Sequence, residues 1–519
     1  MDAAPNVLFI ITDQQRADHL GYAGNPIVRT PNLDALAGRS TNFTNAYVNN
    51  PICMPNRSTI LTGRMPSIHG AIFNDRSLEW GANTFVRTLR SAGYRTGLIG
   101  KSHLQLGMGI ENIPPVTRET AVRDGFEPGD YAHEDHRRYV AGPVDDPDDF
   151  YGFDTVAFSL DHGARVSGHH LQWALDRGGD LENLYVPYSP EAPALQRSEH
   201  WWQIYEPPYP SELHSTEFVT QRTIEFIESA HADGGPWMAY ASFPDPHHPI
   251  TPPGEWFGRH DPADMPEPRA FDDPLDGAPP HIRATRARLE SLMWPLPFGA
   301  SSPTLAQECM AGTYGMIEFI DDGIGRILDA VDRLGATGDT IVVFTTDHGD
   351  MMGEHGLMVK GNLHYQGTVR APLLIARPGS EGATSESLAA SIDISETILE
   401  LCGLDQFIGM QGHSLVPILD DPAVSVRDAV LIEDDMPSPF DQVLGVPEKM
   451  RTLVTADGRY TRDSNGFEEL YVFGDDPDEV ENRAPHDEPR RSEMLGRLVD
   501  QMMSVGETGR GIPAPQAPG

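Results

Sequence analysis

The sequence predicts an α/β fold built on buried parallel strands, followed by a smaller α+β unit at the C-terminal end. Three observations predict it. Four short runs, Val7–Ile11, Thr96–Ile99, Trp237–Ala241 and Ile341–Phe344, are almost continuously apolar, as strands covered on both faces are. Helix-like segments separate these runs. Each run leads into polar, titratable residues: Thr12-Asp13, Gly100-Lys101, Asp245-Pro246-His247-His248 and Thr345-Thr346-Asp347-His348. Ligands of open α/β sheets bind beyond the carboxyl ends of the strands, so Asp13, Lys101, His247 and Asp347 are expected on one rim.

The helices follow from their own signals. Pro31–Ala37 opens on a start residue and has apolar spacing. Phe218–Ile227 follows Ser215, a cap candidate with Glu217 in the first turn. Gly315–Leu334, apolar at 316, 317, 320, 324, 327, 328 and 331, is the clearest amphipathic helix. Residues 105–213 and 251–303, rich in proline, read as excursions from the core, of the kind that become lids or contacts. From residue 416 short alternating pieces appear, such as Ala429–Ile432 and Met450–Val454. The expected division is therefore a catalytic α/β domain over 1–415 and a small α+β domain over 416–519, ending in a Pro/Gly-rich tail.

Composition narrows the function classes. The 519 residues carry 77 Asp and Glu against 38 Lys and Arg, a formal net charge of -39. Nucleic acid and anionic membranes need a positive field, so neither is expected as a partner. An anionic substrate would have to find local positive charge. No apolar run is long enough to span a bilayer, and Met1–Pro5 has neither the basic nor the apolar part of a leader, so a cytoplasmic protein is expected. Three cysteines at wide spacing, 53, 309 and 402, argue against a disulfide framework or a thiolate zinc site.

The segment Pro51-Ile52-Cys53-Met54-Pro55-Asn56-Arg57-Ser58-Thr59-Ile60-Leu61-Thr62-Gly63-Arg64 is the most specific. Pro55 suits the start of a helix, which would leave Cys53 just before the N-terminus, where the helix dipole and Arg57 favour a thiolate of depressed pKa. A buried, inert cysteine is the ordinary alternative for such a residue. The whole string resembles the sulfatase signature C-x-P-x-R-x-x-x-L-T-G-R, departing only at Asn56, where serine is usual. The resemblance implies that a maturation enzyme oxidises Cys53 to formylglycine. One hydroxyl of its hydrate would attack the ester and deprotonation of the other would release the product.

The resemblance extends to the rim. Thr12-Asp13-Gln14 and Thr346-Asp347-His348-Gly349-Asp350 match the family's metal segments, which implies Asp13, Gln14, Asp347 and His348, with position 53, around one divalent metal. Many sulfatases carry an Asp and an Asn where this chain has Gln14 and His348. The nitrogen ligand suits manganese or zinc better than an all-oxygen site would, with calcium still open. The same pair is what phosphonate monoester hydrolases of the superfamily look like. Gly100-Lys101-Ser102-His103 is similar to the G-K-x-H motif, implying a substrate contact for Lys101 and a base in His103. If this stretch were strand, the two side chains would share a face. Asp245-Pro246-His247-His248-Pro249 implies a substrate-binding His247, with His248 as the fallback register. Gly353–Lys360 implies a leaving-group role for Lys360. Asn74 is placed as a donor to a substrate oxygen. Trp201, Trp202 and Tyr205 are either packing residues or an aryl-binding face.

The family implies a large, mostly parallel central sheet flanked by helices, as in the alkaline phosphatase superfamily, and a homo-oligomer, dimer or higher. It also implies a small anionic ester as substrate. The leading expectation is an arylsulfatase-type hydrolase of sulfate monoesters. A phosphonate monoester or phosphodiester hydrolase is the alternative, since Gln14 and His348 lean toward it while Lys101 and His103 lean toward the sulfatase. A non-catalytic sulfatase-like binding protein is a third.

Overall fold

The computed structural model describes residues 4–106, 131–145, 147–289, 296–437, 441–442 and 445–505. Eight strands form the large sheet: β1 (Asn6–Thr12), β2 (Thr41–Phe43), β3 (Arg95–Gly100), β4 (Thr155–Phe158), β5 (Trp237–Ser242), β6 (Thr340–Thr346), β7 (Leu373–Ala376) and β8 (Ala383–Ser385). Their order is β8-β2-β7-β6-β1-β5-β3-β4. The stretch β6-β1-β5-β3-β4 is parallel throughout. Strand β7 runs antiparallel to both its neighbours.

The continuous apolar runs are explained by what covers the two faces. On one side Leu8 and Ile10 of β1 meet the helices α1 (Pro31–Ala37), α4 (Ser215–Asp233) and α5 (Pro303–Arg333). On the other, Val7, Phe9 and Ile11 meet α2 (Cys53–Thr62), α3 (Phe85–Ser91) and α6 (Asp393–Leu401). The five apolar β1 side chains, Val7 to Ile11, are fully buried, each contributing roughly 1.5–3 kcal/mol if apolar transfer alone is counted. A polar residue anywhere in the run would face a core.

Parallel register then builds the rim. Thr12 pairs with Thr346, so Asp13 and Asp347 emerge side by side one residue later. Ser242 pairs with Gly100, which brings Lys101 across from the end of β5. Gly100 sits at φ +104, and a Cβ there would lie 1.8 Å from the Ser242 carbonyl oxygen. Only glycine lets the two strands close this tightly just before Lys101.

The segment 105–213 contributes more than an excursion, because Thr155–Phe158 inside it is the edge strand β4. Its residues 107–130, residues 290–295 of the second excursion and the C-terminal tail from 506 lie outside the described residues. Trp201 and Tyr205 are buried packing residues. The amphipathic helix begins earlier than its spacing predicts, at Pro303, and the cap of α4 is His214 rather than Ser215, its ring accepting from Thr216 N.

A second sheet follows in simple antiparallel sequence: β9 (Val430–Asp435), β10 (Lys449–Thr455), β11 (Gly458–Asp463) and β12 (Glu468–Val472). Helix α7 (Glu488–Ser504) lays Met494 and Leu498 on it. Strand β9 also holds the approach to the nucleophile: Asn49 Nδ2 donates to Leu431 O at 2.9 Å and Asn50 Nδ2 to Glu433 O at 2.6 Å. The short helix Val416–Asp420, expected to open the second domain, packs Ile418 and Leu419 on the large sheet, so we propose that the chain divides after it, within 421–429 and ahead of β9. Among the described residues no helix is long and apolar enough to cross a membrane.

Candidate active site

Cys53 is the first residue of α2, and Pro55 is its third. The cysteine thus lies inside the first turn rather than ahead of it. Its amide neighbour Met54 N donates to Asn74 Oδ1 at 3.1 Å, so the Asn74 carbonyl helps cap the helix. The thiol does not have the depressed pKa that a helix N-terminus suggests. Burial, then the Asp13 carboxylate, push it up to about 11 against the opposing pull of Lys101. A protonated, enclosed thiol is a poor nucleophile in its own right.

Four donor groups converge at this point. Cys53 Sγ lies 3.0 Å from His348 Nε2 and 3.7 Å from Asp13 Oδ1. His348 Nε2 is 3.6 Å from both Asp13 Oδ1 and Asp347 Oδ1. Ligand atoms of Asp13, Cys53, Asp347 and His348 all fall within 4.8 Å of one another, and all four residues are buried. His348 Nδ1 donates to Gly349 O at 3.0 Å, which leaves the Nε2 lone pair facing the cluster. Burial lowers this imidazole to about 4, so it is neutral and able to ligate. Two carboxylate oxygens, a neutral imidazole and position 53 fit a divalent ion.

The other carboxylate oxygens are held from behind. Arg57 Nε donates to Asp347 Oδ2 at 2.7 Å, and its Nη2 is 3.5 Å from Asp13 Oδ2. The rest of the guanidinium reaches Lys101 O and Ser242 Oγ, at 3.1 and 2.8 Å. Arg57 faces no solvent, and of its nitrogens Nε and Nη1 are hydrogen-bonded while Nη2 makes only the ion pair. Asp13 would be raised by burial, but Lys101 and then Arg57 hold it well below the usual carboxylate range.

Gln14 follows Asp13 at the edge of the cluster, its backbone N donating to Asp347 Oδ1 at 3.1 Å. Its Oε1 accepts from Lys360 Nζ at 2.5 Å, and its Nε2 contacts Asp350 and His248 Nδ1, the latter at 3.0 Å. The two lysines flank the cluster alike. Lys101 Nζ bonds Asp13 and, at 2.5 Å, His162 Nε2. Lys360 Nζ bonds Gln14 and His247 Nε2. The His162 and His247 rings stack, centroids 3.9 Å apart, and His248 stacks on His247 at 4.1 Å.

Lys101 and His103 do not lie on a strand, since β3 ends at Gly100 and His103 has a φ of 51°. Both nevertheless meet His162, whose ring is 6.3 Å from that of His103. Burial, reinforced by Lys101, keeps His103 and His162 well below the usual histidine range, and burial with the neighbouring His162 does the same for His247. The local positive charge that an anionic substrate needs thus falls to Lys101 and Lys360, not to the histidines. Sequence reading missed His162, which sits in a segment without a motif. It also passed over Ser242, though the end of β5 marked that position.

The Sulfatase family model matches residues 5–112 and 148–404, and the model described as N-sulphoglucosamine sulphohydrolase, C-terminal, matches 353–507. An arylsulfatase of Clostridium perfringens is 29% identical over 437 residues, covering 82% of this chain and 80% of that protein. The multifunctional alkaline phosphatase superfamily protein PehA of Trinickia caryophylli is also 29% identical, over 80% of this chain and 77% of its own. Among solved structures, the phosphonate monoester hydrolase of Agrobacterium radiobacter superposes with a TM-score of 0.76 at 25% identity, covering 96% and 95% of the two chains. The family model spans well over half of the sequence, and the Cys53 cluster supplies the nucleophile precursor and metal donors such hydrolases need. The chain belongs to the sulfatase family of the alkaline phosphatase superfamily, as a hydrolytic enzyme.

Proposed function

We propose that the enzyme hydrolyses monoanionic esters, phosphonate monoesters and phosphodiesters foremost, with formylglycine at position 53 as nucleophile and a divalent metal held by Asp13, Asp347 and His348. The carrying observation is the make-up of the cluster. It has two carboxylates and the His348 imidazole, while Gln14 stands where a further acid would add charge and engages Lys360 instead. The nitrogen donor favours manganese or zinc. When bound, the ion would stabilise charge on the ester and on the attacking oxygen.

The chain's own residues do the rest. Arg57 turns one oxygen of each carboxylate toward position 53. An ammonium has three donors. Lys101 and Lys360 each spend two on protein acceptors, leaving one apiece for a non-bridging oxygen of the substrate. A phosphonate monoester shares its charge over two such oxygens and a sulfate ester over three, so the former gains more per hydrogen bond. Asn74 Nδ2 is free of the capping role and is assigned to the substrate; His103 is assigned to the proton on the second geminal hydroxyl.

A sulfate monoesterase is the second reading, favoured by the ammonium of Lys101 and the arylsulfatase relative. The test is kcat/KM on 4-nitrophenyl phenylphosphonate against 4-nitrophenyl sulfate, with manganese or zinc supplied and Cys53→Ala as the blank. We expect the phosphonate to be preferred by roughly tenfold or more, the factor 1.4 kcal/mol of extra transition-state binding gives. A preference for the sulfate reverses the order of the two readings. Turnover by Cys53→Ala at the wild-type rate would remove both.

A further inference from the structure

The two lysines beside the cluster are held by matching pairs of acceptors. Lys360 has Gln14 and His247; Lys101 has Asp13 and His162. The two histidines lie face to face, 3.9 Å between centroids and 30° between planes. His247 Nδ1 donates to His248 O, so its Nε2 is the acceptor for Lys360. We propose that His162 is the positioning residue for Lys101, accepting one of its N–H groups as His247, stacked against it, does for Lys360. This rests on the hydrolase reading of the site, whose substrate the two ammonium groups would share.

The loop carrying His162 is built to deliver it there. His162 N donates to Tyr188 Oη at 2.9 Å, and Tyr188 Oη lies 3.2 Å from Asp161 Oδ1. The Arg165 guanidinium covers the Tyr188 ring at 5.1 Å and the Tyr185 ring at 4.2 Å. Gly163, at φ +56, presses on the strand-end loop of the other histidines: a Cβ there would come 2.7 Å from Pro249 O. A larger residue would push the loop, and His162 with it, off His247. An unanchored lysine samples many rotamers, so a second acceptor that fixes it removes entropy the substrate would otherwise have to supply.

Two substitutions separate acceptor from stack. His162→Phe keeps an aromatic face for His247 and cannot accept a hydrogen bond; His162→Gln cannot stack but can accept. We expect His162→Phe to lower kcat/KM by 10- to 100-fold, the usual order for an outer partner of a reacting group, and His162→Gln to recover most of that loss. The readout that does not depend on turnover uses the chain's composition, which includes only three lysines, Lys101, Lys360 and Lys449. With lysine labelled at Nζ, nitrogen–proton spectra of the protein without substrate should show a slowly exchanging Lys101 ammonium. His162→Phe should speed its exchange by roughly tenfold and leave Lys449 unmoved. Should the wild type turn over neither ester, the Nζ signal still decides the contact. Unchanged Lys101 exchange in His162→Phe, a phenylalanine variant within threefold of wild-type kcat/KM, or a glutamine variant as impaired as phenylalanine, overturns the proposal.

Discussion

Arg57 and Arg459 are both completely buried, and they keep different company. Arg459, on β11, bonds Glu479, lies 3.7 Å from Glu469 and donates to Thr461 Oγ1 at 3.0 Å, with the Tyr365 and Tyr471 rings against its faces. The second Glu479 oxygen is taken by Gln366 N at 2.7 Å, and Glu469 accepts from Tyr471 Oη at 3.2 Å. Apart from Arg459 Nη2, which makes no hydrogen bond, that cluster is closed on its own partners. Around Arg57 each carboxylate gives one oxygen to the cations and turns the other toward His348, with Cys53 beside it. Charge burial alone therefore does not mark a site; a carboxylate oxygen aimed at neutral donors does.

The comparison breaks first at His348. If the inward oxygens are there for a metal, His348→Ala removes a neutral ligand and cuts no ion pair to Arg57. We expect bound manganese or zinc to fall well below one ion per chain by elemental analysis. We also expect kcat/KM to drop on the order of 1000-fold, because a Lewis-acid ion supplies several kcal/mol of transition-state stabilisation. A variant that still binds a full equivalent of metal would show that the open oxygens serve something else.

The closed cluster makes the opposite forecast. Arg459→Met leaves Glu469 and Glu479 without their buried cation, a change of the kind that costs about 3–5 kcal/mol. Denaturant unfolding should register that loss, while kcat/KM per folded molecule stays within about twofold, as for a change outside the reacting constellation. Activity falling in step with stability would mean that the two clusters are not separable.

The strand-level plan was legible in the sequence because it depends on local pattern. Runs covered on both faces cannot alternate, and parallel register places Asp13 beside Asp347 once Thr12 and Thr346 are paired. What was not legible depends on burial and on partners far along the chain. The Cys53 thiol was expected to be acidic from its place on α2, yet enclosure and Asp13 outweigh the dipole. His103 and His247 were legible as site residues but not their protonation, which burial beside lysines and other histidines holds to the neutral form. His162 belongs to no motif; it reaches Lys101 only because β4 brings its loop to the rim. Edge strand β4 itself is short and sits inside a proline-rich stretch, where its pattern was diluted.

Glu396 sharpens the comparison at its weak end, since it is a buried carboxyl with no ion pair of its own; the nearby Arg427 is taken by Asp393 and lowers its pKa only slightly against burial. It is fully buried on α6, and no ion pair to it exists among the described residues. Burial, then the Asp393 carboxylate next to it, push it up from the ordinary 4.5 to about 8. A carboxyl raised in the folded state contributes its full stability below its unfolded pKa. That contribution is lost as pH rises from about 4.5 through about 8, because folding must hold a proton that the unfolded chain has released. Glu396→Gln keeps the neutral form at every pH. Its Tm should match the wild type near pH 4.5 and exceed it by roughly 2–5 °C at pH 9, with the gap opening between those values. Subtracting the two Tm curves cancels the titrating groups not coupled to Glu396. A flat difference would place Glu396 among the solvated carboxyls, and a gap that opened on the acid side would mean that Arg427 pairs with it as Arg57 does with Asp347.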